Sequence, residues 1–448
     1  MADRFFAGFV LASRVVELRR NRFRSPSSLA LRNLKRFRRL IQTLAARSPY
    51  YSRIIKERRI DPATCAVTDF PALTKKHLLK HFDEIVTDKR ITKGGVEAFL
   101  SRTKNPLALF KDDFFVVHTS GSNGQIAPFV WHKMDWLRGL THLARAVPVG
   151  IFQKIAFVGA TDGHYAGVTM TESSGWGPLW WAHRVKVFDI RKPLSEIVSG
   201  LNGYQPCVVV GYATALRALA SERAAGRLAI VPRTLISGGE PLVAADKEFI
   251  ESAFGISITN VYAASEHMII GIGLPRFGGM VLQEDDLIIE PFEDHTLITN
   301  LLNKTLPLIR YKMEDVLLPL EDRQPDWPAY RVVRDVVGRQ EYGPQFLNEA
   351  GQCDTIHPIV FVEFYVPGLE AFQIIVQDSA SFTFLAVPLP GQLKPDLISH
   401  ISARLDDLLQ VKKMRNVKYK VELTDHLPVE RSTGKFRLVR SASSEIPG

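Results

Sequence analysis

Residues 119–124 have the composition of a loop that binds phosphate groups. The sequence there is Thr-Ser-Gly-Ser-Asn-Gly, which places three hydroxyls and two glycines in six residues. Glycine lets the backbone fold around an anion and present its N–H groups, and the hydroxyls add donors for phosphate oxygens. An apolar run at 114–118 that predicts a buried strand comes directly before this segment. We therefore expect a phosphate-binding loop at the end of a strand, with an ordinary turn as the alternative.

The same segment is not the P-loop of the nucleotide hydrolases. It lacks the Gly-Lys-Ser/Thr ending, because Gln125 and Ile126 follow Gly124. A dinucleotide-binding interpretation is also weakened, since no G-x-G-x-x-G segment follows a strand with an acidic residue about 20 positions further on.

Three further loops place small and polar residues at the ends of apolar runs. Residues 211–212 are Gly-Tyr, residues 237–241 are Ser-Gly-Gly-Glu-Pro, and residues 262–266 are Tyr-Ala-Ala-Ser-Glu. Side chains of this kind can bind phosphate, hydroxyl and metal groups. Whether they form one site depends on the elements that carry them.

Alternating strand-like and helix-like segments separate these loops. Apolar runs at 207–211, 233–237 and 257–262 predict strands, and segments 213–225 and 242–254 predict helices that end at glycines. Such alternation is typical of right-handed βαβ units and of a parallel sheet covered by helices. Ligands collect outside the carboxyl ends of parallel strands, so we expect the loops to share one site.

The pattern changes towards the C-terminus. Residues 282–290 and 295–300 predict strands of a more antiparallel region, and the last part of the chain predicts a small α+β domain. The fold class is therefore α/β, with a large N-terminal domain of mostly parallel, helix-covered sheets and a small C-terminal domain. The predicted divisions are a basic N-terminal helical segment packed on the large domain (1–60), the large domain (61–339) and the small domain (340–448).

The composition is that of an ordinary globular protein. The chain has 448 residues, of which 46% are hydrophobic and 23% charged, which excludes disorder and collagen-like repeats. The apolar run at 5–12 is too short and too closely followed by arginines for a signal peptide. Three cysteines without C-x-x-C spacing argue against a disulfide framework and a structural zinc site. We expect a cytoplasmic protein.

The basic excess belongs to one segment. Residues 1–60 hold 16 basic and 3 acidic side chains, a net charge of +13, whereas the rest holds 41 basic and 44 acidic side chains, or −3. Residues 33–44 have apolar side chains at helical spacing, which predicts an amphipathic helix with a basic outer face. We interpret it as a solvated helix packed on the large domain. Peripheral contact with an anionic membrane is the weaker alternative, and no nucleic acid partner is expected.

Several short motifs follow one another in a recognisable order. They are Ser-Pro-Tyr-Tyr at 48–51, Phe-Pro-Ala-Leu-Thr-Lys at 70–75, the segments 119–124, 237–242 and 262–266, Arg-Tyr-Lys-Met-Glu-Asp at 310–315, Gly-Arg at 338–339 and Pro-Val-Glu-Arg-Ser-Thr-Gly-Lys at 428–435. Together they resemble the acyl-adenylate-forming ligases, especially the phenylacetate–CoA ligase-like and CapK-like branch, over about residues 40–440. The resemblance implies that family's architecture, with a mobile C-terminal domain.

The resemblance also implies which residues bind ATP and Mg²⁺. The ATP phosphates would be bound by Thr119, Ser120, Gly121, Ser122, Asn123 and Gly124. The remaining nucleotide contacts would come from Gly238, Gly239, Glu240, Tyr262, Ala263, Ser265, Asp315 and Arg339. Asp315 suits the ribose because a carboxylate offers two acceptor oxygens to a vicinal diol. Glu266 would help bind Mg²⁺, and Lys435 would contact the carboxylate and α-phosphate as charge develops.

A mostly apolar, aromatic lining is implied for the acid pocket. By resemblance it would comprise Tyr212, Ala264, His164 and Tyr165, which suits an aryl or small hydrophobic acid. The two tyrosines at 212 and 262 are equally well explained as core residues.

The predicted activity is ATP-dependent formation of an acyl-AMP with release of pyrophosphate. The acyl acceptor stays open among CoA, a carrier-protein thiol and an amine, because residues 340–351 lack the Gly-x-Asn segment that lies beside the pantetheine channel in CoA-using phenylacetate ligases. The expected cofactors are ATP and Mg²⁺, with CoA as one option. The expected partners are a small carboxylic acid and either CoA or an acyl carrier protein. Two alternatives remain: transfer of AMP to a phenolic or other non-carboxylate acceptor, and a non-catalytic member of the fold.

Overall fold

A computed structural model describes most of the chain. The described residues are 2–119, 127–145, 153–174, 184–274, 277–320, 329–337, 343–356, 360–361, 364, 366, 368–389, 392–428 and 438–442. Their helices are α1 (Ala2–Asn21), α2 (Pro26–Arg47), α3 (Pro49–Glu57), α4 (Lys75–Lys80), α5 (Phe82–Ile85), α6 (Lys93–Arg102), α7 (Lys133–Leu140), α8 (Ala166–Ser173), α9 (Leu194–Tyr204), α10 (Ala213–Ala224), α11 (Ala244–Phe254) and α12 (Lys394–Val411), with 3₁₀ turns at Val67–Asp69 and Thr141–Arg145.

The strands of the described residues form five sheets. They are β1 (Phe114–His118), β2 (Pro128–His132), β3 (Lys154–Gly159), β4 (Arg184–Asp189), β5 (Val208–Gly211), β6 (Thr234–Gly238), β7 (Ile258–Ala264), β8 (Met268–Leu274), β9 (Gly279–Leu282), β10 (Leu287–Pro291), β11 (Thr296–Asn300), β12 (Tyr311–Met313), β13 (Val316–Pro319), β14 (Val332–Val337), β15 (Gln345–Leu347), β16 (Cys353–Thr355), β17 (Leu369–Asp378), β18 (Ser381–Pro388), β19 (Lys418–Leu423) and β20 (Val439–Ser441).

A nine-stranded sheet forms the centre of the large domain, in the order β13-β14-β9-β8-β7-β6-β5-β3-β4. The pairs among β4, β3, β5, β6 and β7 are parallel, and those from β7 to β13 are antiparallel. Helices α10 and α11 connect β5 to β6 and β6 to β7, which confirms the predicted strand–helix alternation. Gly255 ends α11 with a φ of +69°, a left-handed conformation that glycine adopts without strain.

The strand before the phosphate-loop segment lies outside this parallel sheet. Strand β1 pairs antiparallel with β2 in a separate two-stranded sheet. Its last residue, His118, forms an isolated parallel bridge with Tyr165, which lies between β3 and α8. The end of β1 is therefore brought to the site by tertiary packing, not by membership of the parallel sheet.

The expectation of one strand at 282–290 is wrong. Strand β9 ends at Leu282 and β10 begins at Leu287, with the segment 283–286 as a buried connection between two different sheets. Asp285 and Asp286 are almost fully buried there. Their contacts with the N-terminal helices explain why polar residues interrupt an otherwise apolar segment.

The C-terminal part is a smaller α+β domain, as predicted. Strands β19-β18-β17-β20 form its sheet, with β17 and β18 antiparallel and both outer pairs parallel. Leu397, Ile401 and Leu405 form the buried face of α12 at helical spacing. Apolar side chains of this domain continue into the core beside β3 and β5.

None of the described helices combines the length and apolar character that crossing a membrane would require. The predicted amphipathic helix corresponds to α2, which buries Leu29, Phe37, Leu40, Ile41 and Leu44. Ser25 caps it by accepting a hydrogen bond from the Ser28 N–H.

Candidate nucleotide-binding site

The two ends of the phosphate-loop segment are held together by Thr119 and Ala127. The Thr119 N–H donates to the Ala127 carbonyl at 3.0 Å, and the Ala127 N–H donates to the Thr119 hydroxyl at 3.2 Å. The Thr119 hydroxyl also accepts a hydrogen bond from the Lys75 ammonium at 3.2 Å. The Lys75 ammonium therefore lies where the two ends of this segment meet, although Lys75 is distant from Thr119 in the sequence.

Lys75 begins α4 and is half-buried. Burial lowers its pKa, and the nearby carboxylates of Glu266 and Glu314 counteract that effect. Glu314 stands where the resemblance would place a glycine. Its carboxylate thus adds negative charge to the surroundings of Lys75.

Glu266 is buried beside this lysine. Burial raises the pKa of the Glu266 carboxyl to about 7; the nearby Lys75 charge and a hydrogen bond donated by the Tyr311 hydroxyl offset part of that rise. The carboxylate of Asp315 adds to the rise by like-charge repulsion. Glu266 is thus a carboxyl group whose ionised form the protein stabilises only in part.

Asp315 is connected to the same cluster through Tyr262. The Tyr262 hydroxyl donates to Asp315 Oδ2 at 2.7 Å, which fixes the direction of the carboxylate. Burial raises the pKa of Tyr262, and Asp315 raises it further. The backbone of Asp315 is held as well, because its carbonyl accepts a hydrogen bond from the Thr296 hydroxyl at 2.8 Å.

Ser265 holds the loop after β7 against the end of β1. Its hydroxyl donates to the His118 carbonyl at 2.9 Å, and its own carbonyl accepts from the Trp131 indole N–H at 3.2 Å. The first bond ties the segment 262–266 to the residue before Thr119, and the second ties it to β2. The structure therefore places Thr119, Tyr262, Ser265, Glu266 and Asp315 close together.

Gly239 and Tyr212 are in direct contact. Gly239 has a φ of +83°, and a Cβ atom there would lie 2.9 Å from Cε1 of Tyr212. A side chain at 239 is therefore excluded by backbone conformation and by the tyrosine ring. Gly238 is similarly close to its neighbour, since a Cβ there would lie 3.2 Å from the Val261 carbonyl oxygen.

Glu240 has a structural partner. Its carboxylate accepts hydrogen bonds from the Thr214 N–H at 3.2 Å and the Thr214 hydroxyl at 2.9 Å, at the N-terminus of α10. A carboxylate at that position stabilises the helix end. Glu240 thus orients the loop after β6 towards Tyr212.

The residues predicted for the acid pocket differ in their surroundings. Ala263 and Ala264 are half-buried at the end of β7. His164 is buried, with Nε2 at 3.1 Å from the Thr103 carbonyl and its ring 5.2 Å from that of Phe99. The Tyr165 ring lies 4.9 Å from the His118 ring.

The other predicted residues lie outside the described part of the chain. They are Ser120, Gly121, Ser122, Asn123, Gly124, Arg339 and Lys435. Their roles stay predictions.

Comparison with known proteins identifies the architecture. The chain is similar to a 2-hydroxyisobutyryl-CoA ligase in complex with 2-HIB-AMP and CoA in the thioesterification state, with a TM-score of 0.59, 18% identity and coverage of 94% of this chain and 91% of that one. The same ligase in the postadenylation state in complex with 2-HIB-AMP gives a TM-score of 0.53 at 18% identity, covering 92% and 89% of the two chains. This chain has the adenylate-forming ligase fold.

Sequence comparison indicates a distant relationship to one curated protein. The chain is 22% identical to Protein CapK of Staphylococcus aureus in an alignment of 335 positions, gaps included, and the alignment covers 67% of this chain. The alignment spans 66% of that relative, slightly less than two thirds of its length. No protein-family model matches the chain.

Two further residues of the candidate site, Lys75 and Tyr311, are not among those predicted from the sequence. Both lie inside motifs named above, at 70–75 and 310–315. Leu73, just before Lys75, and Tyr311 form an isolated parallel bridge, which places the two segments side by side. Burial and the carboxylate of Glu266 raise the pKa of Tyr311, so the hydroxyl stays protonated and donates to that carboxylate. The position of a lysine and a tyrosine inside these two motifs is the feature of the sequence from which their role could have been predicted.

The two domains of the ligase fold meet around Asp162. This carboxylate accepts hydrogen bonds from Lys104 at 2.8 Å, from Arg191 at 2.8 Å and from Arg404 of α12 at 3.0 Å. Burial opposes ionisation, but these three cations lower the pKa of Asp162. Tyr165 lines the same cleft, so a predicted substrate residue lies at the contact between the domains.

Proposed function

We propose that the protein uses ATP to activate a carboxylic acid as an acyl-adenylate. A carboxylate oxygen attacks the α-phosphorus, and the bond to the bridging oxygen breaks to release pyrophosphate. The observation that supports this proposal is the convergence of Lys75, Thr119, Glu266 and Asp315 from four separate segments of the chain. These residues supply a cation, a hydroxyl and two carboxylates, which suit phosphate, metal and ribose.

Thr119 and Lys75 act on the phosphates in this proposal. The hydroxyl and the ammonium are already 3.2 Å apart, so a phosphate oxygen can replace or share that hydrogen bond. Lys75 would offset the repulsion that arises when an anionic acid approaches an anionic nucleotide. The hydroxyls and backbone of residues 120–124 would complete the phosphate contacts.

Glu266 is the residue that we assign to Mg²⁺. Mg²⁺ is typically held by one or two carboxylates together with substrate phosphates, rather than by a cage made only of protein ligands. Among the described residues no group of three or more His, Cys, Asp and Glu side chains is placed to hold a metal ion. A buried carboxyl beside Thr119 and Lys75 fits the first type of site. When bound there, the metal would offset phosphate charge.

Asp315 is assigned to the ribose, with Tyr262 as its positioning residue. The Tyr262 hydroxyl occupies one carboxylate oxygen at 2.7 Å and so orients the group towards a diol. Gly238 and Gly239 would contact the nucleotide base through their backbone, and the absence of a side chain at Gly239 leaves room for the Tyr212 ring, since a Cβ there would lie 2.9 Å from Cε1 of that ring. Ala263, Ser265 and Glu240 support the same nucleotide-facing loops.

Lys435 and Arg339 complete the proposal. Lys435 would bridge the acid and the α-phosphate, and Arg339 would contact the ribose or a phosphate. We propose that residues 340–448 form the unit that moves relative to the large domain (61–339), on which residues 1–60 are packed, and that this small domain delivers Lys435. The TM-score is higher with the thioesterification state of that ligase than with its postadenylation state, 0.59 against 0.53, so the structure of this chain is more similar to the first.

The acid is assigned to an aryl or small hydrophobic class. Tyr212, Ala264 and Tyr165 provide small and aromatic surfaces around the loops, and buried His164 adds a polar atom. A subsequent transfer to a thiol is supported by the similarity to a ligase whose complex contains both 2-HIB-AMP and CoA. CoA, a carrier-protein thiol and an amine remain the acceptors to be compared, in a cytoplasmic setting.

ATP–pyrophosphate exchange over a panel of aryl and short-chain acids tests this function. We expect exchange that depends on one class of acid and on Mg²⁺, and that disappears in Lys435→Ala. Lys75→Met should reduce exchange by about 10-fold or more, since a charge-assisted contact is lost. Lys76→Met is the matched control, because Lys76 is the neighbouring, exposed lysine, and it should retain exchange.

Two results would count against the proposal. No exchange with any acid, in protein that binds ATP, would exclude carboxylate activation by that panel and favour AMP transfer to a phenolic acceptor. Absence of ATP binding in folded protein would favour a non-catalytic role. If exchange occurs, adding CoA, a carrier protein or an amine to the best acid then identifies the acceptor.

A further inference from the structure

The arginines of the two N-terminal helices are divided into an inward and an outward set. The inward set anchors the helices: Arg14 donates to Asp286 at 2.5 Å, and Arg36 donates to the same carboxylate at 2.8 Å. Asn21, at the end of α1, donates to Asp285 at 2.7 Å. These contacts account for only part of the basic excess of this segment.

The outward set lies at the end of α1 and in the turn that leads to α2. It comprises Arg19, Arg20, Arg22 and Arg24, all of which are exposed. None of the four forms an ion pair within the described residues, and the hydrogen bond of Arg24 goes to the neutral Asn21 side chain. Four positive charges therefore face the solvent within six residues.

Apolar side chains are exposed among these charges. Phe23 is 78% exposed and Val16 is 47% exposed. Val16, Arg19 and Arg20 follow helical spacing and so share one face of α1, and Phe23 lies in the turn directly after the helix. Arg22 lies 4.6 Å from the centre of the Phe23 ring, so the aromatic and basic groups form one surface. We call Val16, Arg19, Arg20, Arg22, Phe23 and Arg24 the N-terminal basic surface.

We propose that the N-terminal basic surface docks on an anionic phospholipid bilayer. Phe23 and Val16 would enter the interface between head groups and acyl chains, and the four arginines would bind the surrounding phosphates. The long arginine side chains can lie along the apolar surface and keep their charged ends at the head groups. The exposed stripe of α2 with Leu31, Lys35 and Arg39 extends the same composition.

A bilayer explains both features of this surface. A nucleic acid would account for the four arginines but not for exposed Phe23, whereas in a bilayer the phosphates and the apolar acyl chains lie next to each other, as the arginines and Phe23 do here. An acidic protein partner is distinguished from a bilayer by the vesicle assay. The inward ion pairs also hold α1 on the large domain, so the surface is presented on a fixed element. Docking would therefore require no unfolding of the N-terminal segment.

Sedimentation with lipid vesicles tests the proposal on the full-length protein. Vesicles of phosphatidylcholine alone are compared with vesicles of equal parts phosphatidylcholine and phosphatidylglycerol at low ionic strength. We expect binding only to the anionic vesicles, with strong weakening at about 1 M salt, where charges are screened within about 3 Å.

Substitution of the four outward arginines by glutamine should lower the vesicle partition coefficient by about 100-fold or more, since each basic residue near an anionic leaflet is worth about fivefold. Phe23→Ser should weaken binding while preserving its salt dependence. The matched charge control replaces four exposed basic residues elsewhere, Lys89, Arg233, Lys247 and Lys418, by glutamine. Val231→Ser is the matched apolar control, because Val231 is 77% exposed. Both controls should bind as the unmodified protein does.

Three outcomes would overturn the proposal. They are absence of binding to anionic vesicles at low ionic strength, an equal loss in the charge control, and unchanged binding in the variant without the four arginines. Capture of an acidic carrier protein that needs the arginines but tolerates Phe23→Ser, with no vesicle binding, would assign the surface to that partner instead. Circular dichroism confirms that each variant is folded before binding is compared.

Discussion

Two buried clusters of charged side chains differ in how many cations and hydrogen-bond donors surround their carboxylates. Around Asp286, three side chains converge on one carboxylate: Arg14, Arg36 and His142. Burial alone would raise the pKa of Asp286, but these partners lower it well below its usual value. Glu266 is buried to a similar degree, yet its pKa is raised to about 7.

The difference lies in the number and geometry of the partners. Asp285 repeats the first pattern, accepting hydrogen bonds from Arg145, Asn21 and Tyr330. At the candidate site one half-buried lysine lies near several carboxylates and is itself hydrogen-bonded to Thr119. A fully paired cluster stabilises the fold, whereas an incompletely paired one leaves capacity to bind a ligand.

The largest expected effect is on stability, in Asp286→Asn. The substitution leaves Arg14 and Arg36 without their buried counter-charge, so the free energy of unfolding should fall by about 3–5 kcal/mol. Urea unfolding measures it. Asp294→Asn is the control, because Asp294 is exposed and pairs with one histidine at 2.6 Å. An equal loss of stability in both variants would contradict the special role of the buried cluster.

Glu266→Gln should lower activity without lowering stability, in contrast to Asp286→Asn. Acid-dependent ATP–pyrophosphate exchange should fall by about 100-fold or more, as expected when a group that stabilises transition-state charge is removed. The midpoint of thermal unfolding should stay constant or rise, because the buried carboxylate is only partly stabilised. Glu248→Gln on the exposed surface of α11 serves as control. Full exchange activity in Glu266→Gln would remove this residue from the proposed site.

The decrease of folding stability at acid pH offers a further test, in which the expected effect is smaller but its direction is fixed. The folded pKa values of Asp285 and Asp286 lie below the unfolded value of about 3.9, so their contribution is complete above that pH and is lost as the pH falls through the folded values. The difference in thermal midpoint between the unmodified protein and Asp286→Asn should be constant from about pH 7 to pH 5 and shrink below about pH 4. A difference that grows on acidification would refute the assignment.

Tyr262→Phe should produce the smallest effect. Loss of one hydrogen bond to Asp315 is worth about 1 kcal/mol, so KM for ATP should rise about fivefold with a smaller change in kcat. Titration of ATP in the exchange assay separates the two parameters. Tyr204→Phe, which removes a hydroxyl that donates to the Arg184 carbonyl at 2.6 Å, is the control. An equal rise in KM in both variants would indicate a general effect on folding.

Much of the fold was accessible from local patterns. The strands and helices from β5 to β7 were predicted within a few residues, since apolar periodicity and terminal glycines are properties of short segments. The segment 283–286 was not predicted, because its buried carboxylates make sense only beside Arg14 and Arg36. The order of motifs indicates candidate loops but not their contacts, and contacts such as that between Lys75 and Thr119 are visible only in the structure.

The sequence by itself determined the alternation of elements, the position of the loops between them and the concentration of positive charge in residues 1–60. Only the tertiary structure decided that Lys75 lies at Thr119, that Tyr311 donates to Glu266, and that the N-terminal arginines divide into an inward and an outward set. The physical reason is that a local pattern specifies how a segment folds and which face it buries. The partner of a charge depends on which distant segment packs against it, and burial then decides whether that partner is sufficient.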